Sequence, residues 1–253
     1  LSAIRTSTYV LLPSPSLTSL CHQSTNRPII APYGGNKIEY QSISGFAYHA
    51  HAVSPIERTQ SKSSPNTLTL CARSHSFRKG ADVFLEALEN LNQKLLNDSS
   101  PLFLDVQICG LIVEPDIKCQ FERAVKLLNS YGKIRLSAKQ YQYIDFSKLL
   151  SSADIFIMPS RFEGSSLAAL EALWHGSPSI ITHQCGVDDF ISERHGLILP
   201  HLDPASLADM IYSLCTSIDK LLYFRKCLAK DQHLFAWDRY LSSYEQLLLT
   251  LIE

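Results

Sequence analysis

Beyond residue 66 the chain alternates between two patterns of apolar and polar positions. TLTLCAR (67–73), LFLDVQICG (102–110), KIRLSA (133–138), DIFIMPS (154–160) and SPSIITH (177–183) are short apolar runs bounded by turn residues, and they read as strands. Between them apolar residues recur at helical spacing: KGADVFLEALENLNQKLL (79–96), a stretch over 116–130, FSKLLSSA (146–153) and SLAALEALWHG (166–176). Gly176 is placed to close the last of these helices, and two or three more helices are expected over 204–250. This alternation predicts an α/β fold, a doubly wound parallel sheet covered on both faces. Such sheets bind ligands beyond the carboxyl ends of their strands, so the loops after residues 73, 110 and 160 become the places to search.

Residues 1–66 follow neither pattern. They are rich in serine and proline and show no long helical period. YVLLPSPSL and RPIIAPYGG read as two short strands, each running into a turn. The segment does not read as a self-sufficient core and is expected to pack on something else.

Composition narrows the function classes. A chain of 253 residues with 45% hydrophobic and 19% charged residues can bury a substantial core. Its net charge of −1 gives no field for a polyanion, so no nucleic-acid partner is expected. The seven cysteines are scattered and never spaced as CxxC, which argues against a zinc knuckle or disulfide framework and points to a reducing, cytoplasmic compartment. Cys71 and Cys109, inside strand-like runs, are expected to be buried small hydrophobes. No apolar run approaches the ~20 residues that span a bilayer. The start, without an initiating Met, makes a poor signal peptide, and the chain is expected to begin partway through a longer protein.

The chemistry lies in PSRFEGSSLAALEALWHGSP (159–178). Glu163-Gly164-Ser165-Ser166 leaves a strand and enters a helix whose first N–H groups lack intrahelical partners, a ready site for a phosphate. Glu171, further into that helix, cannot bind phosphate directly but can accept two hydrogen bonds from a vicinal diol such as ribose. Glu163 would meet whatever lies on the far side of the phosphates. Diol, phosphate and polar group together outline a nucleotide sugar. The same spacing also fits an ordinary helix start with acidic residues favoured by the dipole, which needs no ligand. The loop after TLTLCAR supplies Arg73, Arg78 and Lys79 at the same predicted edge, and these cations would neutralise a diphosphate.

ADIFIMPSRFEGSSLAALEALWHGSPSIIT resembles the signature segment of glycosyltransferase family 4, the retaining group 1 glycosyl transferases of GT-B fold, in which two glutamates are separated by seven residues, as Glu163 and Glu171 are. CARSHSFRKGADVFLEAL is similar to the family's Gly-Arg…Lys-Gly segment, with five residues between Arg73 and Lys79. The likeness continues through GLILPHLDPASLADMI to FAWDRYLSSYEQLL. Two positions depart from it: Ala72 stands where the family usually has Gly, and Ser165-Ser166 replaces an aromatic-glycine pair.

The resemblance implies an enzyme that moves a hexose from a nucleoside-diphosphate sugar to an acceptor hydroxyl with retention, in polysaccharide or glycolipid synthesis. It implies a catalytic set of Glu163, Arg73 and Lys79. Arg73 and Lys79 would hold the donor diphosphate, with Gly164, Ser165, Ser166 and Leu167 on phosphate and sugar hydroxyls. Glu171 would hold the ribose, and Glu163 would lie against the donor sugar. It further implies a Rossmann-like donor domain over 67–232, a remnant of the N-terminal acceptor domain and linker over 1–66, and a C-terminal helix, 233–253, packing back on that domain. The expected donor is a UDP-sugar ahead of a GDP-sugar, without cofactor or metal, and the acceptor a carbohydrate or lipid-linked glycan at the membrane periphery. The rival reading is a nucleotide-sugar-binding fragment or subunit of a split transferase, inactive without its N-terminal half. A sugar phosphorylase fits less well, because the chain is short and no lysine context suggests pyridoxal. His175, His183, His195 and His201 lack metal-ligand spacing, and no Asp-x-Asp occurs, so no metal site is expected. Trp174 and Trp237 read as packing residues, and Asp188 and Asp189 as a solvated pair.

Overall fold

Six strands form one all-parallel sheet in the order β5–β4–β3–β6–β7–β8: β3 (Thr67–Ala72), β4 (Phe103–Cys109), β5 (Ile134–Lys139), β6 (Ile155–Met158), β7 (Ser179–Thr182) and β8 (Gly196–Leu199). The computed structural model describes residues 10–11, 29–30, 66–164, 166–187 and 191–236. The first two of these segments are β1 (Val10–Leu11) and β2 (Ile29–Ile30), a separate parallel pair inside the two stretches read as short strands. The helices are α1 (Ala81–Asn97), α2 (Pro115–Tyr131), α3 (Tyr143–Ser152), α4 (Leu167–Trp174), α5 (Pro204–Thr216) and α6 (Ile218–Asp231), followed by a 3₁₀ turn over Gln232–Phe235. The crossing helix expected over 233–253 lies, beyond that turn, outside the described residues, as do Trp237, Asp188 and Asp189.

Successive residues of a strand point to opposite faces, and here both faces are apolar. Leu70, Val106 and Leu136 are register neighbours on one face and pack with Phe84, Leu88 and Leu91 of α1, Leu128 of α2 and Ile211 of α5. Cys71, Cys109, Phe156 and Met158 face the other way, against Phe146 and Leu150 of α3 and Leu170 and Leu173 of α4. Cys71 and Cys109 are buried as expected, both free thiols in a hydrogen-bond contact of 3.5 Å between their sulfurs. Burial on both sides is why these strands read as continuous apolar runs.

The sheet order has a functional consequence. β3 and β6 are neighbours, yet the helix after β3 packs on one face and the helix after β6 on the other. Their connecting loops therefore part at the carboxyl edge and leave a crevice, the switch point at which doubly wound sheets bind ligands.

Three details differ from the sequence reading or sharpen it. β8 is a sixth strand that periodicity did not reveal. α3 starts at Tyr143, three residues earlier than expected. α4 ends as expected, with Gly176 at φ 75° and the amides of Gly176 and Ser177 donating to the Leu173 and Ala172 carbonyls at 3.0 and 2.9 Å.

Asp154 ties the start of β6 to the rest. Its carboxylate accepts from the Thr69 amide at 2.8 Å and pairs with Arg225 of α6. Its side chain is only 8% exposed, and Arg225 Nε is itself buried without a partner. Asp154→Asn keeps the shape but removes the charge, and is expected to lower stability by about 2 kcal/mol in urea unfolding.

Candidate functional site

The two loops at the switch point are stitched together by backbone. Residues 73–80 leave β3, and residues 159–166 leave β6. The Arg73 amide donates to Ile157 O at 3.0 Å, and the Arg161 amide to Arg78 O at 2.9 Å. Ser76 O accepts from the amides of Lys79 and Ala81, which turns the chain into α1. The loop after β4 joins the same assembly, its Glu114 carboxylate accepting from the Phe77 amide at 2.9 Å.

These ties bring together side chains far apart in sequence. Lys79 Nζ lies 2.6 Å from Glu163 Oε1, and Arg78 Nη1 lies 2.7 Å from the same oxygen. Ser160 Oγ adds a hydrogen bond at 3.2 Å. Lys79 and Glu163 are 10% and 13% exposed as side chains, whereas Arg78 is 53% exposed, so the inner pair carries the weight of the cluster. Burial pushes the Glu163 carboxyl up, but hydrogen bonds and charge from Lys79 and Arg78 outweigh it and hold it below the ordinary glutamate value. Burial pushes Lys79 below the ordinary lysine value, with Glu163 opposing the shift and Arg73 and Arg78 adding to it. The arrangement is a buried cation held ready by a carboxylate, with more positive charge around it than that carboxylate neutralises.

Arg73 stands at the edge of the same cluster. Nη1 donates to Cys109 O at 3.0 Å, the guanidinium lies over the Phe146 ring at 5.6 Å, and Nε is buried without a partner. Across the crevice, α4 begins at Leu167, and its first amides have no intrahelical acceptor. Ser166 caps the helix: its hydroxyl accepts from the Ala169 amide at 3.2 Å and donates to Met158 Sδ at 2.9 Å. The Ser166 hydroxyl is thus turned inward. What this turn offers a ligand is the backbone at Gly164 and Leu167, while Ser165 lies outside the described residues.

Glu171 sits one turn into α4. Among the described residues its carboxyl has no hydrogen-bond or ion-pair partner, and burial pushes its pKa up to about 7, with Arg73 pulling the other way. The sign of its effect on folding follows directly. In the unfolded chain the group ionises near 4.5, whereas in the fold it keeps its proton to about 7. It therefore costs stability progressively as pH rises from 4.5 to 7 and costs nothing at lower pH. Glu171→Gln removes that cost. Its melting temperature should exceed that of the wild type at about pH 8, and the difference should nearly vanish at about pH 4, below the unfolded-state value, as calorimetric scans at both would show. If the carboxylate serves a diol, the same variant should bind a nucleoside diphosphate about tenfold more weakly at pH 8.

Several neighbours were not anticipated. Arg161 makes a bidentate pair with Asp82 at 2.7 and 2.7 Å and stacks on Phe77 at 3.8 Å, bracing the outside of the cluster. His75, within CARSHSFRKGADVFLEAL, lies in the cationic loop against Gly110. No periodic or spacing signal marks either residue. Two of the four histidines set aside on spacing are used structurally: His175 Nδ1 meets Ser151 Oγ at 3.0 Å, and His195 Nε2 meets Asp231 at 2.9 Å. Among the described residues no group of three or more His, Cys, Asp or Glu is placed to hold a metal ion, and no helix is long and apolar enough to cross a membrane. A cavity of about 660 Å³ opens at the other end of the sheet, near Thr67, Phe103 and the Asp105–Arg135 pair, away from the switch point.

Comparison with known proteins places these features in a lineage. The family model described as "Glycosyl transferases group 1" matches residues 65–217. Lipopolysaccharide glucosyltransferase WaaG of Escherichia coli (strain K12) is 27% identical over 118 residues, 47% of this chain and 28% of that protein. The GDP-mannose-dependent alpha-(1-6)-phosphatidylinositol dimannoside mannosyltransferase of Mycobacterium tuberculosis (strain ATCC 25177 / H37Ra) is 26% identical over 91 residues, 36% of this chain and 23% of that protein. The chain thus aligns with about a quarter of the length of these curated relatives. In three dimensions it matches the crystal structure of WaaG with a TM-score of 0.63 at 18% identity, covering 94% of this chain and 61% of that one. It matches the pneumococcal O-GlcNAc transferase GtfA, solved with UDP and GlcNAc, with a TM-score of 0.66 at 16% identity, covering 97% and 46%. At such identities these two matches speak for the fold.

Proposed function

The chain belongs to the group 1 glycosyl transferases, and from that premise we propose that it provides the donor site of a retaining enzyme that moves a hexose from a nucleoside-diphosphate sugar to an acceptor hydroxyl. The observation that carries the reading is the Lys79–Glu163–Arg78 cluster at the switch point, together with the open N-terminus of α4 and Glu171, whose carboxyl has no partner among the described residues. In this reading the diphosphate takes up Lys79, Arg73 and the amides at Gly164 and Leu167. Negative charge grows on the leaving diphosphate as the glycosidic bond breaks, and those groups stabilise it without a metal ion. Glu171 accepts the ribose hydroxyls, and Glu163, released in part from Lys79, positions the sugar.

On the same reading we assign residues 67–232 to the donor domain and 1–66 to the end of the acceptor domain and its linker. A relative that uses GDP-mannose and a structural neighbour solved with UDP leave both bases in play, and UDP is preferred. The acceptor is a glycan or glycolipid met at the cytoplasmic membrane surface, in keeping with the lipopolysaccharide and phosphatidylinositol dimannoside in the names of the two curated relatives. The second reading, a fragment or subunit that binds donor but needs an N-terminal partner to turn over, rests on the short alignment with those relatives.

The test is nucleotide release from UDP-glucose and GDP-mannose with a pool of oligosaccharide and glycolipid acceptors, followed by proton NMR of the new anomeric centre. An α-linked product from the α-configured donor supports the proposal, and an inverted product ends it. Donor binding without turnover favours the split enzyme.

A further inference from the structure

His75 has no role in the reading above, yet it sits at the centre of the cationic loop. Its ring lies so close to Gly110 that a Cβ there would fall 2.3 Å from Nδ1 and 2.4 Å from Cγ. Gly110 has φ 143°, so the loop after β4 leaves the sheet in a conformation that makes room for this ring. Nδ1 is buried there without a hydrogen-bond partner. The Cys109 carbonyl, which bears on this ring, accepts from Arg73 Nη1 at 3.0 Å. Arg73 Nε, in the same loop, is likewise buried and unpartnered. Burial first, then the charges of Arg73 and Lys79, push His75 down to about 4, against a weaker pull from the Cys109 carbonyl. At neutral pH the ring carries one N–H, and Nε2 is the nitrogen not sealed against Gly110.

A loop that holds an arginine, a lysine and a buried, unpaired guanidinium nitrogen, beside an imidazole whose Nε2 is turned from Gly110, has the chemistry of an anion site. We propose that His75 is a further ligand of the donor diphosphate, with its imidazole lodged against Gly110 and Nε2–H donating to a phosphate oxygen beside Lys79 and Arg73. This rests on the donor-site reading and adds to it an uncharged contact that directs a phosphate oxygen where the two cations supply charge.

His75→Phe fills the space against Gly110 but offers no donor, and His75→Gln can bring an amide N–H to the position of Nε2. Calorimetric titration of the full chain and both variants with UDP, and separately with GDP, reads the contact. His75→Phe should weaken whichever nucleotide the wild type binds by about tenfold, and His75→Gln should stay within about threefold of the wild type. Melting temperatures of the three proteins should agree within the error of the scan. Equal affinity for wild type and His75→Phe, or equal loss in Phe and Gln variants, overturns the proposal and leaves His75 as packing. Failure of the wild type to bind either nucleotide overturns the donor-site reading itself, and this inference with it.

Discussion

Lys79→Ala should reduce affinity for a nucleoside-diphosphate sugar by about a hundredfold or more, the largest binding effect expected of any single change in the chain. Two contributions act in the same direction. The first is the direct loss of the buried, charge-assisted hydrogen bond to phosphate proposed for Lys79. The second is what remains behind: the Glu163 carboxylate, 13% exposed, with only the solvent-facing Arg78 at 2.7 Å to balance it. An under-compensated carboxylate at the mouth of the proposed phosphate site would repel a diphosphate. The two contributions separate in a double-variant cycle. Glu163→Gln added to Lys79→Ala should recover part of the lost affinity, because it removes the repulsion while leaving the missing cation missing. Titration of both variants with UDP-glucose and GDP-mannose gives the numbers. Wild-type affinity in Lys79→Ala would mean that the lysine serves only as Glu163's partner.

Gly80→Ala is expected to be the most damaging change to the fold among the variants considered, at about 3 kcal/mol or more. Gly80 precedes α1 at φ 67°, in the left-handed region where a side chain is strained. A Cβ there would also lie 2.0 Å from the Pro159 carbonyl oxygen, in the loop after β6. The clash is with backbone, so relief requires the loops after β3 and β6 to separate. Their separation would draw Lys79 away from Glu163. Urea unfolding should therefore show a lower midpoint at unchanged slope, and nucleotide affinity measured well below that midpoint should fall as well. A stability loss with affinity intact would show that the cluster tolerates a wider crevice than its geometry suggests.

Gly80 illustrates how much of this molecule the sequence discloses. The Lys-Gly pair is visible as spelling, but its reason is an approach between chain segments that are remote in sequence. The five strands read from the sequence emerged because sheets buried on both faces need unbroken apolar runs, and each run ended at a turn residue. β8 did not emerge, since GLIL is too short to declare a period and follows a loop without a strong breaker. The C-terminal end of α4 was legible where chemistry marks it, at Gly176 in a left-handed conformation, whereas Ser166, read as a ligand contact, caps the helix through the Ala169 amide.

The site was legible in its parts. Arg73, Lys79, Glu163 and Glu171 stood out by type and spacing, yet the 2.6 Å contact between Lys79 and Glu163 spans 84 residues and depends on β3 and β6 being neighbours. Local pattern does not carry strand order. The direction of the Ser166 hydroxyl was equally beyond it, because capping and ligand binding call for the same residue. His75 was hidden for a related reason: its meaning lies in a fit against Gly110 that exists only once two loops are folded side by side.

The central claim is a location: a nucleoside diphosphate lies at the carboxyl edge of the sheet, between the loops after β3 and β6. Crystals of the chain grown with UDP-glucose, and in parallel with GDP-mannose, test it most directly. The account predicts diphosphate density within hydrogen-bond reach of Lys79 Nζ and the amides that open α4, with the ribose hydroxyls on the Glu171 carboxylate. Nucleotide found instead in the cavity beside Asp105 and Arg135, at the opposite end of the strands, would contradict it.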